Sequence, residues 1–162
     1  METKNLGKQV PHVFVGADKS LLERVPNPNS HLGDVIRTTV TIKGDEFTSV
    51  CPVTGGPDMG EIIVTYMPQD WIVESKSFKY YMESYRNEPI FHEAIVAKIC
   101  NDLGSLLECC FLTVSGNFKA RGGWAFLIDA SYNRYPQLDD ELSDDELSDY
   151  VRADTPVAQE NI

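Results

Sequence analysis

Several common sequence features are missing from this chain of 162 residues. No apolar run is long enough to cross a bilayer, and no apolar segment follows the lysines of the first ten residues, as a secretory signal requires. Metal-ligand pairs of the form Cys-x-x-Cys or Cys-x-x-His are absent, and so is a basic stripe with interleaved aromatic residues. We therefore expect a cytoplasmic protein with no membrane contact, no metal and no direct nucleic-acid partner.

Cysteine occurs at only four positions, 51, 100, 109 and 110. Two of these are adjacent, and a reducing compartment disfavours disulfides. We expect four free thiols, with Cys100, Cys109 and Cys110 in the core.

Basic residues are scarce: 14 Lys and Arg stand against 25 Asp and Glu, for a formal charge of -11. Residues 137–162 hold 9 of the acids and a single Arg, whereas residues 1–136 hold 16 acids and 13 Lys or Arg. The negative charge is therefore concentrated in an acidic C-terminal tail, 137–162, which we expect to be solvated.

The rest of the chain has the length of one globular domain. Residues 1–30, rich in Asn, Pro, Lys and Ser, are predicted to be an N-terminal arm with little structure of its own. Alternating β-branched and polar residues around a Gly-Asp pair predict a strand or hairpin over 34–50. Three further strands are predicted at 60–68, 110–118 and 124–132, the last two joined through the "KARGG" loop.

Helical periodicity lies between these strands. Apolar residues recur at i, i+3, i+4 and i+7 in the first segment and at similar spacing after Pro89. The two stripes are Phe78, Tyr81, Met82 and Tyr85, then Phe91, Ile95, Ile99, Leu103 and Leu106 or Leu107. The order strand, strand, helix, helix, strand, strand predicts an α+β fold, an antiparallel four-stranded sheet with a helix pair on one face. Uncovered sheet edges favour self-association into an oligomer.

The loop "SVCPVTGGPD" holds a thiol and a carboxylate seven residues apart. A cysteine at a strand end is either a small buried hydrophobe or, on a loop that leaves a sheet, an accessible nucleophile. Asp58 either stabilises the turn by bonding its own backbone or donates a proton in the reaction. It cannot activate the thiol, because its negative charge would disfavour a nearby thiolate. The residues alone leave both alternatives open.

The starts of the two predicted helices also carry polar residues. Ser75 suits an N-cap, whereas Lys76 and Lys79 oppose the helix dipole and would suit a phosphate. His92 and Glu93 open the second helix, where they either serve the helix start or bind a planar heterocycle. Arg121 beside two glycines indicates a turn or an anion contact.

Together, "CPVTGGPD", "VESKSFKYYMESYRN", "FHE" and "RGG" resemble, in order and spacing, the QueF family of nitrile reductases in queuosine biosynthesis, in its single-domain form. The resemblance runs from about residue 30 to residue 134. It implies the tunnelling fold for a catalytic domain of residues 31–136. It also implies subunits that close into ring-like barrels, with sites at the subunit interfaces.

The reaction that the resemblance implies is NADPH-dependent reduction of the nitrile of 7-cyano-7-deazaguanine to the primary amine, without a metal. Cys51 would attack the nitrile carbon to form a covalent thioimide, and Asp58 would protonate the nitrogen. Substrate contacts are implied for Val73, Glu74, Ser75, His92 and Glu93, and cofactor-phosphate contacts for Lys76, Lys79 and Arg121. No G-x-G-x-x-G motif follows a strand, so general motifs do not indicate the cofactor.

Two positions depart from the family pattern: Gly56 replaces a usual glutamine and Ala120 a usual proline. Three alternatives compete with the reductase. An amidinotransferase-type relative that acts on a nitrile in tRNA would lack the "ESKSFK" segment, and a zinc-dependent cyclohydrolase of the same fold would need Cys-x-x-His. A non-catalytic base-binding scaffold would have no use for Cys51 and Asp58.

Overall fold

The protein is represented by a computed structural model that describes residues 16–32 and 36–133. Its main sheet has four antiparallel strands in the order β2-β3-β5-β6, and a small sheet pairs β1 with β4. The acidic tail and the first half of the predicted arm lie outside the described residues. The strands are β1 Arg24–Pro26, β2 Val40–Val50, β3 Pro57–Tyr66, β4 Trp71–Val73, β5 Phe111–Arg121 and β6 Trp124–Asn133.

Two helices lie between β4 and β5 in sequence, α1 at Ser75–Ser84 and α2 at His92–Leu107. A 3-10 turn, Tyr85–Asn87, continues α1. The predicted α+β order, with an antiparallel four-stranded sheet and a helix pair, is confirmed. None of the described helices is long and apolar enough to span a membrane.

The core forms between the helices and the inner face of the sheet. Tyr81 and Tyr85 of the first predicted stripe are fully buried, and their hydroxyl oxygens lie 2.7 Å apart. The second stripe is buried at Ile95, Ile99, Leu103 and Leu107. Phe91 is an exception at 58% exposure, because it is the residue before the helix rather than part of its buried face.

The Gly-Asp pair in the first predicted strand does not form a hairpin turn. Pairing passes from Gly44 opposite Ile62 to Phe47 opposite Gly60, so one extra residue on β2 makes a β-bulge within a continuous strand. The bulge keeps the residues before and after it on the same buried face. The strand alternative was therefore right and the hairpin alternative wrong.

The second half of the predicted arm is more structured than we expected. Arg24, in β1, places its guanidinium 4.2 Å from the centre of the Trp71 ring and pairs with Glu108 at 2.8 Å. β1 also pairs with β4 along its length. The expectation of little structure was wrong for residues 24–26, because backbone pairing and this cation–π contact stabilise them. The division at residue 30 stays a prediction.

Candidate active site

Cys51 directly follows β2 and opens a tight turn into β3. Its backbone N–H donates to the carbonyl of Gly56 at 2.9 Å, and the N–H of Gly55 donates back to the Cys51 carbonyl at 2.9 Å. Gly55 has a φ of 70°, a left-handed conformation that favours glycine. The turn therefore holds the thiol in a defined position at the mouth of the loop.

The surroundings of the Cys51 thiol favour its ionised form. A hydrogen bond from the Thr54 side chain lowers its pKa to about 6, with further contributions from the backbone N–H groups of Thr54 and Val53 and from Arg121. A thiol with this pKa is mostly thiolate, the nucleophilic form, at neutral pH. Sequence reasoning missed Thr54, because only the turn geometry brings its hydroxyl to the Cys51 sulfur.

Asp58 is the second residue of β3 and is 4% exposed. Its Oδ1 lies 2.8 Å from Arg121 Nη1 and 3.3 Å from His92 Nε2. These are ion-pair distances, but the directions are not those of hydrogen bonds, and both Asp58 Oδ1 and His92 Nε2 have no hydrogen-bond partner. Asp58 Oδ1 is thus close to the Arg121 guanidinium while its own hydrogen-bonding capacity is unused.

His92 is the first residue of α2 and its ring is held by aromatic contacts. The ring stacks on Phe118 at a centroid distance of 3.8 Å and an interplanar angle of 7°, and Phe126 approaches edge-on at 5.9 Å. The imidazole therefore faces Asp58 in a fixed orientation. Glu93, the next residue, is exposed in the first turn of the helix.

Arg121 ends β5, immediately before the turn formed by Gly122 and Gly123, whose φ values are 60° and 89°. Its guanidinium lies beside the Asp58 carboxyl group and forms a hydrogen bond with Cys51. A side chain at position 56 would place its Cβ 3.1 Å from Arg121 Nη2. Gly56 therefore leaves the guanidinium room against the catalytic loop.

The start of α1 forms a separate group. Glu74 is the N-cap, and its carboxylate oxygens accept hydrogen bonds from the backbone N–H groups of Lys76 at 3.0 Å and Ser77 at 2.7 Å. Ser75 is the first helical residue, so its prediction as the N-cap was wrong. The reason is that the Glu74 carboxylate has two acceptor atoms and satisfies two unpaired N–H groups at once.

A cavity of about 320 Å³ lies beside this helix start. Its walls are largely apolar and include Val40, Ile42, Tyr66, Val73, Ser75 and Phe78. This volume is within the range of small-molecule sites. Two of the predicted substrate contacts therefore line a pocket of suitable size.

Lys76 and Lys79 lie three residues apart on α1 and so face the same side. Lys79 Nζ is 3.7 Å from Glu83, and Lys76 Nζ lies 5.7 Å from the centre of the Tyr80 ring. No acidic residue occupies the first turn. In charge and spacing this pair fits the phosphates of a nicotinamide cofactor.

The predicted site residues thus form two groups at opposite ends of the sheet. Cys51, Asp58, His92 and Arg121 lie at the Val50 end of β2, whereas the cavity reaches Val40 and Ile42 at the other end. Eight residues of strand, 43–50, lie between Ile42 and Cys51, and nine residue steps span roughly 30 Å. One chain therefore does not bring Val73 and Ser75 to the thiol.

Across residues 16–32 and 36–133, no group of three or more His, Cys, Asp or Glu side chains could hold a metal ion. The Val50 end offers a thiol with a low pKa and a buried carboxyl group, both in contact with Arg121. These two groups have the chemistry that an enzyme of the nucleophilic-cysteine class uses.

Comparisons with known proteins identify the family. A family model described as "QueF-like protein" matches residues 57–137. The NADPH-dependent 7-cyano-7-deazaguanine reductase of Helicobacter pylori strain Shi470 is 47% identical over 124 residues, 76% of this chain and 82% of that protein. The reductase of the same name from Granulibacter bethesdensis is 45% identical over 106 residues, 65% of this chain and 67% of that protein.

The chain belongs to the QueF-like family and is an oxidoreductase, as its resemblance predicted. Among solved structures, the apo archaeosine synthase QueF-Like matches with a TM-score of 0.53 and 22% identity, covering 62% of this chain and 96% of that one. At this identity the likeness concerns the fold alone.

Proposed function

We propose that this protein reduces the nitrile of 7-cyano-7-deazaguanine to the primary amine of 7-aminomethyl-7-deazaguanine with NADPH, in the cytoplasm, as a step of queuosine biosynthesis. The main support for the proposal is that Cys51, whose pKa is lowered to about 6, lies at the same end of the sheet as the buried carboxyl group of Asp58. The names of the curated relatives support the substrate and the cofactor.

In this mechanism the Cys51 thiolate attacks the electrophilic nitrile carbon, forming a C–S bond. The nitrogen gains negative charge as its π bond opens, and it takes a proton from Asp58 to give a neutral thioimide. Bound NADPH supplies hydride, and the complete conversion of nitrile to amine consumes two hydrides and two protons. Between the two reductions the C–S bond breaks, and the low pKa of Cys51 makes its sulfur a good leaving group.

Asp58 must be protonated again after it gives up its proton. His92 Nε2, 3.3 Å from Asp58 Oδ1, belongs to a ring that both donates and accepts protons. We therefore infer that His92 returns the proton, in addition to any contact that it makes with the substrate. The predicted substrate contact of Glu93 is unchanged by this role.

We further propose that a second copy of the chain completes each site, as the tunnelling fold with its ring-like barrels would require. The cavity that Val73 and Ser75 line reaches Ile42, which lies roughly 30 Å from Cys51 along β2, too far for one substrate to reach both. The edge strand β6 exposes Trp124 and Leu127 at 77% and 74%. An exposed apolar edge of this kind favours pairing with another strand.

The covalent step has a direct test. Incubation with the nitrile in the absence of NADPH should add the mass of one substrate to each wild-type chain, and Cys51→Ala should show no adduct. Cys110→Ala, which removes another half-buried thiol, is the matched control and should keep the adduct. Equal adduct on wild type and Cys51→Ala would contradict the thioimide.

The shared site can be tested by mixing Cys51→Ala with the double variant Lys76→Ala/Lys79→Ala, at an NADPH concentration far below the KM of the double variant, where neither variant alone turns over. If each site combines the Val50 end of one chain with the α1 start of another, random co-assembly restores roughly one quarter of the sites. Co-assembly of each variant with itself is the control. A mixture that assembles but stays inactive would show that the Val50 end and the α1 start of different chains do not form a shared site.

An amidinotransferase acting on tRNA is the second candidate, favoured by the fold of archaeosine synthase QueF-Like. Lys76 and Lys79 at the start of α1 support the reductase instead, because an amino-group transfer uses no dinucleotide. Oxidation of two NADPH per amine formed would support the reductase. Conversion of a nitrile in tRNA with an added amine donor, and without NADPH oxidation, would support the transferase.

A further inference from the structure

Ser49 lies on β2 two residues before Cys51 and directly opposite Asp58 in the β2–β3 pairing. Residues two apart on a strand share a face. Directly opposite residues of an antiparallel pair have Cβ atoms about 4.5–5.5 Å apart. Ser49 is therefore next to the nucleophile along the strand and within side-chain reach of the acid across it.

The Ser49 hydroxyl is buried without a partner. The residue is 1% exposed. Its Oγ is one of three buried side-chain nitrogen or oxygen atoms without a hydrogen bond in the part of the chain that the structure describes. The other two are Asp58 Oδ1 and His92 Nε2. All three atoms thus belong to this one end of the sheet.

Other buried serines are paired in the usual way. Ser77 Oγ donates to the Glu74 carbonyl at 2.7 Å, and Ser84 Oγ donates to the Tyr81 carbonyl at 2.6 Å. Leaving a buried hydroxyl unpaired is unfavourable, so a hydroxyl that lacks a partner beside a catalytic group requires an explanation.

We propose that Ser49 is a positioning residue whose hydroxyl hydrogen-bonds the Asp58 carboxyl group during the reaction, an inference that rests on the proposed function. A hydroxyl donates to a carboxylate and accepts from a carboxylic acid by rotating one O–H bond. Once a side-chain rotation has brought Ser49 Oγ to Asp58, the hydroxyl therefore holds the carboxyl group in one orientation both before and after the proton is transferred.

Ser49→Ala distinguishes this role from a structural one. An alanine replaces an unpaired buried hydroxyl, so we expect a melting temperature equal to or above that of the wild type. We expect kcat to fall about tenfold while KM for the nitrile is unchanged, since positioning acts on the chemical step. Thr48→Ala, which changes the neighbouring residue on the opposite face of β2, is the matched control and should keep the wild-type kcat.

Two further variants complete the test. Because Ser49 acts through Asp58, Ser49→Ala should cause no additional loss of kcat in the Asp58→Asn background. Ser49→Thr keeps the hydroxyl and should retain most of the wild-type kcat if its melting temperature shows that the extra methyl is accommodated. Full activity of Ser49→Ala, or the same tenfold loss in both backgrounds, would overturn the inference.

The wild-type enzyme separates this inference from the function on which it rests. If wild type does not oxidise NADPH with the nitrile, the proposed function fails and the inference fails with it. If wild type turns over and Ser49→Ala matches it, the reductase stands and only the role of Ser49 is wrong.

Discussion

The two ends of the sheet are built differently although both hold predicted site residues. At the Val50 end, Asp58 and His92 are mostly buried and have hydrogen-bonding atoms without partners. At the α1 start, the Glu74 carboxylate is fully engaged as a helix cap, and the adjacent cavity is apolar. In the proposed function the first end makes and breaks bonds, whereas the second offers an apolar cavity and, through its lysines, positive charge.

Because the reactive groups lie at the Val50 end, we expect substitutions there to affect the chemical step. Asp58→Asn keeps the shape of the side chain but removes its proton-donating ability. We expect kcat to fall by about 10² to 10⁴ with substrate affinity largely retained, as for loss of a general acid. Steady-state kinetics and equilibrium binding of the nitrile measure the two quantities. A large loss of affinity with an unchanged chemical step would instead make Asp58 a binding residue.

Changes at the α1 start should affect cofactor binding. We expect Lys76→Gln to raise KM for NADPH about tenfold, because a charged hydrogen bond to phosphate is lost. The same change removes a cation from the first turn of a helix, so the free energy of unfolding should rise by about 0.3–1 kcal/mol.

The matched control for this prediction is Lys43→Gln, which removes a cation that pairs with Glu61 at 2.7 Å. Its KM for NADPH should equal that of the wild type. A Lys76→Gln variant with a lower kcat and an unchanged KM for NADPH would show that the α1 start also acts on the chemical step, and not on cofactor binding alone.

The smallest expected effect concerns the pKa of Cys51. Iodoacetamide reacts with thiolate, so Cys51 labelling should rise with pH around a midpoint of about 6. Thr54→Val removes the hydrogen bond that contributes most to lowering this pKa, and the midpoint should move upward toward the ordinary thiol value of about 8.5. Less Cys51 would then be ionised at pH 7, and labelling there would be slower.

Thr54→Ser keeps a hydroxyl and should retain a midpoint near that of the wild type. Intact-mass analysis with Cys51→Ala as the blank assigns the label to the correct thiol. A midpoint unchanged in Thr54→Val would show that the backbone N–H groups and Arg121 stabilise the thiolate without the hydroxyl.

Much of the fold could be predicted because its signals are local. The period of the apolar residues predicted α1 and α2, and the burial of Tyr81 and Ile95 confirms the faces that it assigned. The error at Gly44 has a physical cause, since a Gly-Asp pair suits both a turn and a bulge. Pairing of β2 with β3 on both sides of that pair decided in favour of the bulge.

The candidate site could be predicted only as a set of residues. The family resemblance selected Cys51, Asp58 and His92, and they lie at one end of the sheet. It grouped Arg121 with Lys76 and Lys79, whereas the guanidinium lies beside Asp58. Thr54 and Ser49 were missed because their importance depends on a turn geometry and a strand register that residue types alone do not specify.

The amino-acid sequence by itself determined the order of strands and helices and the presence of a thiol in a loop rich in turn residues. These properties depend on residues within a few positions of one another. Tertiary structure alone decided which distant side chains meet. Asp58 and His92 are 34 positions apart in sequence, and they come within 3.3 Å because Asp58 lies at the start of β3 and the His92 ring, at the start of α2, stacks on Phe118 of β5.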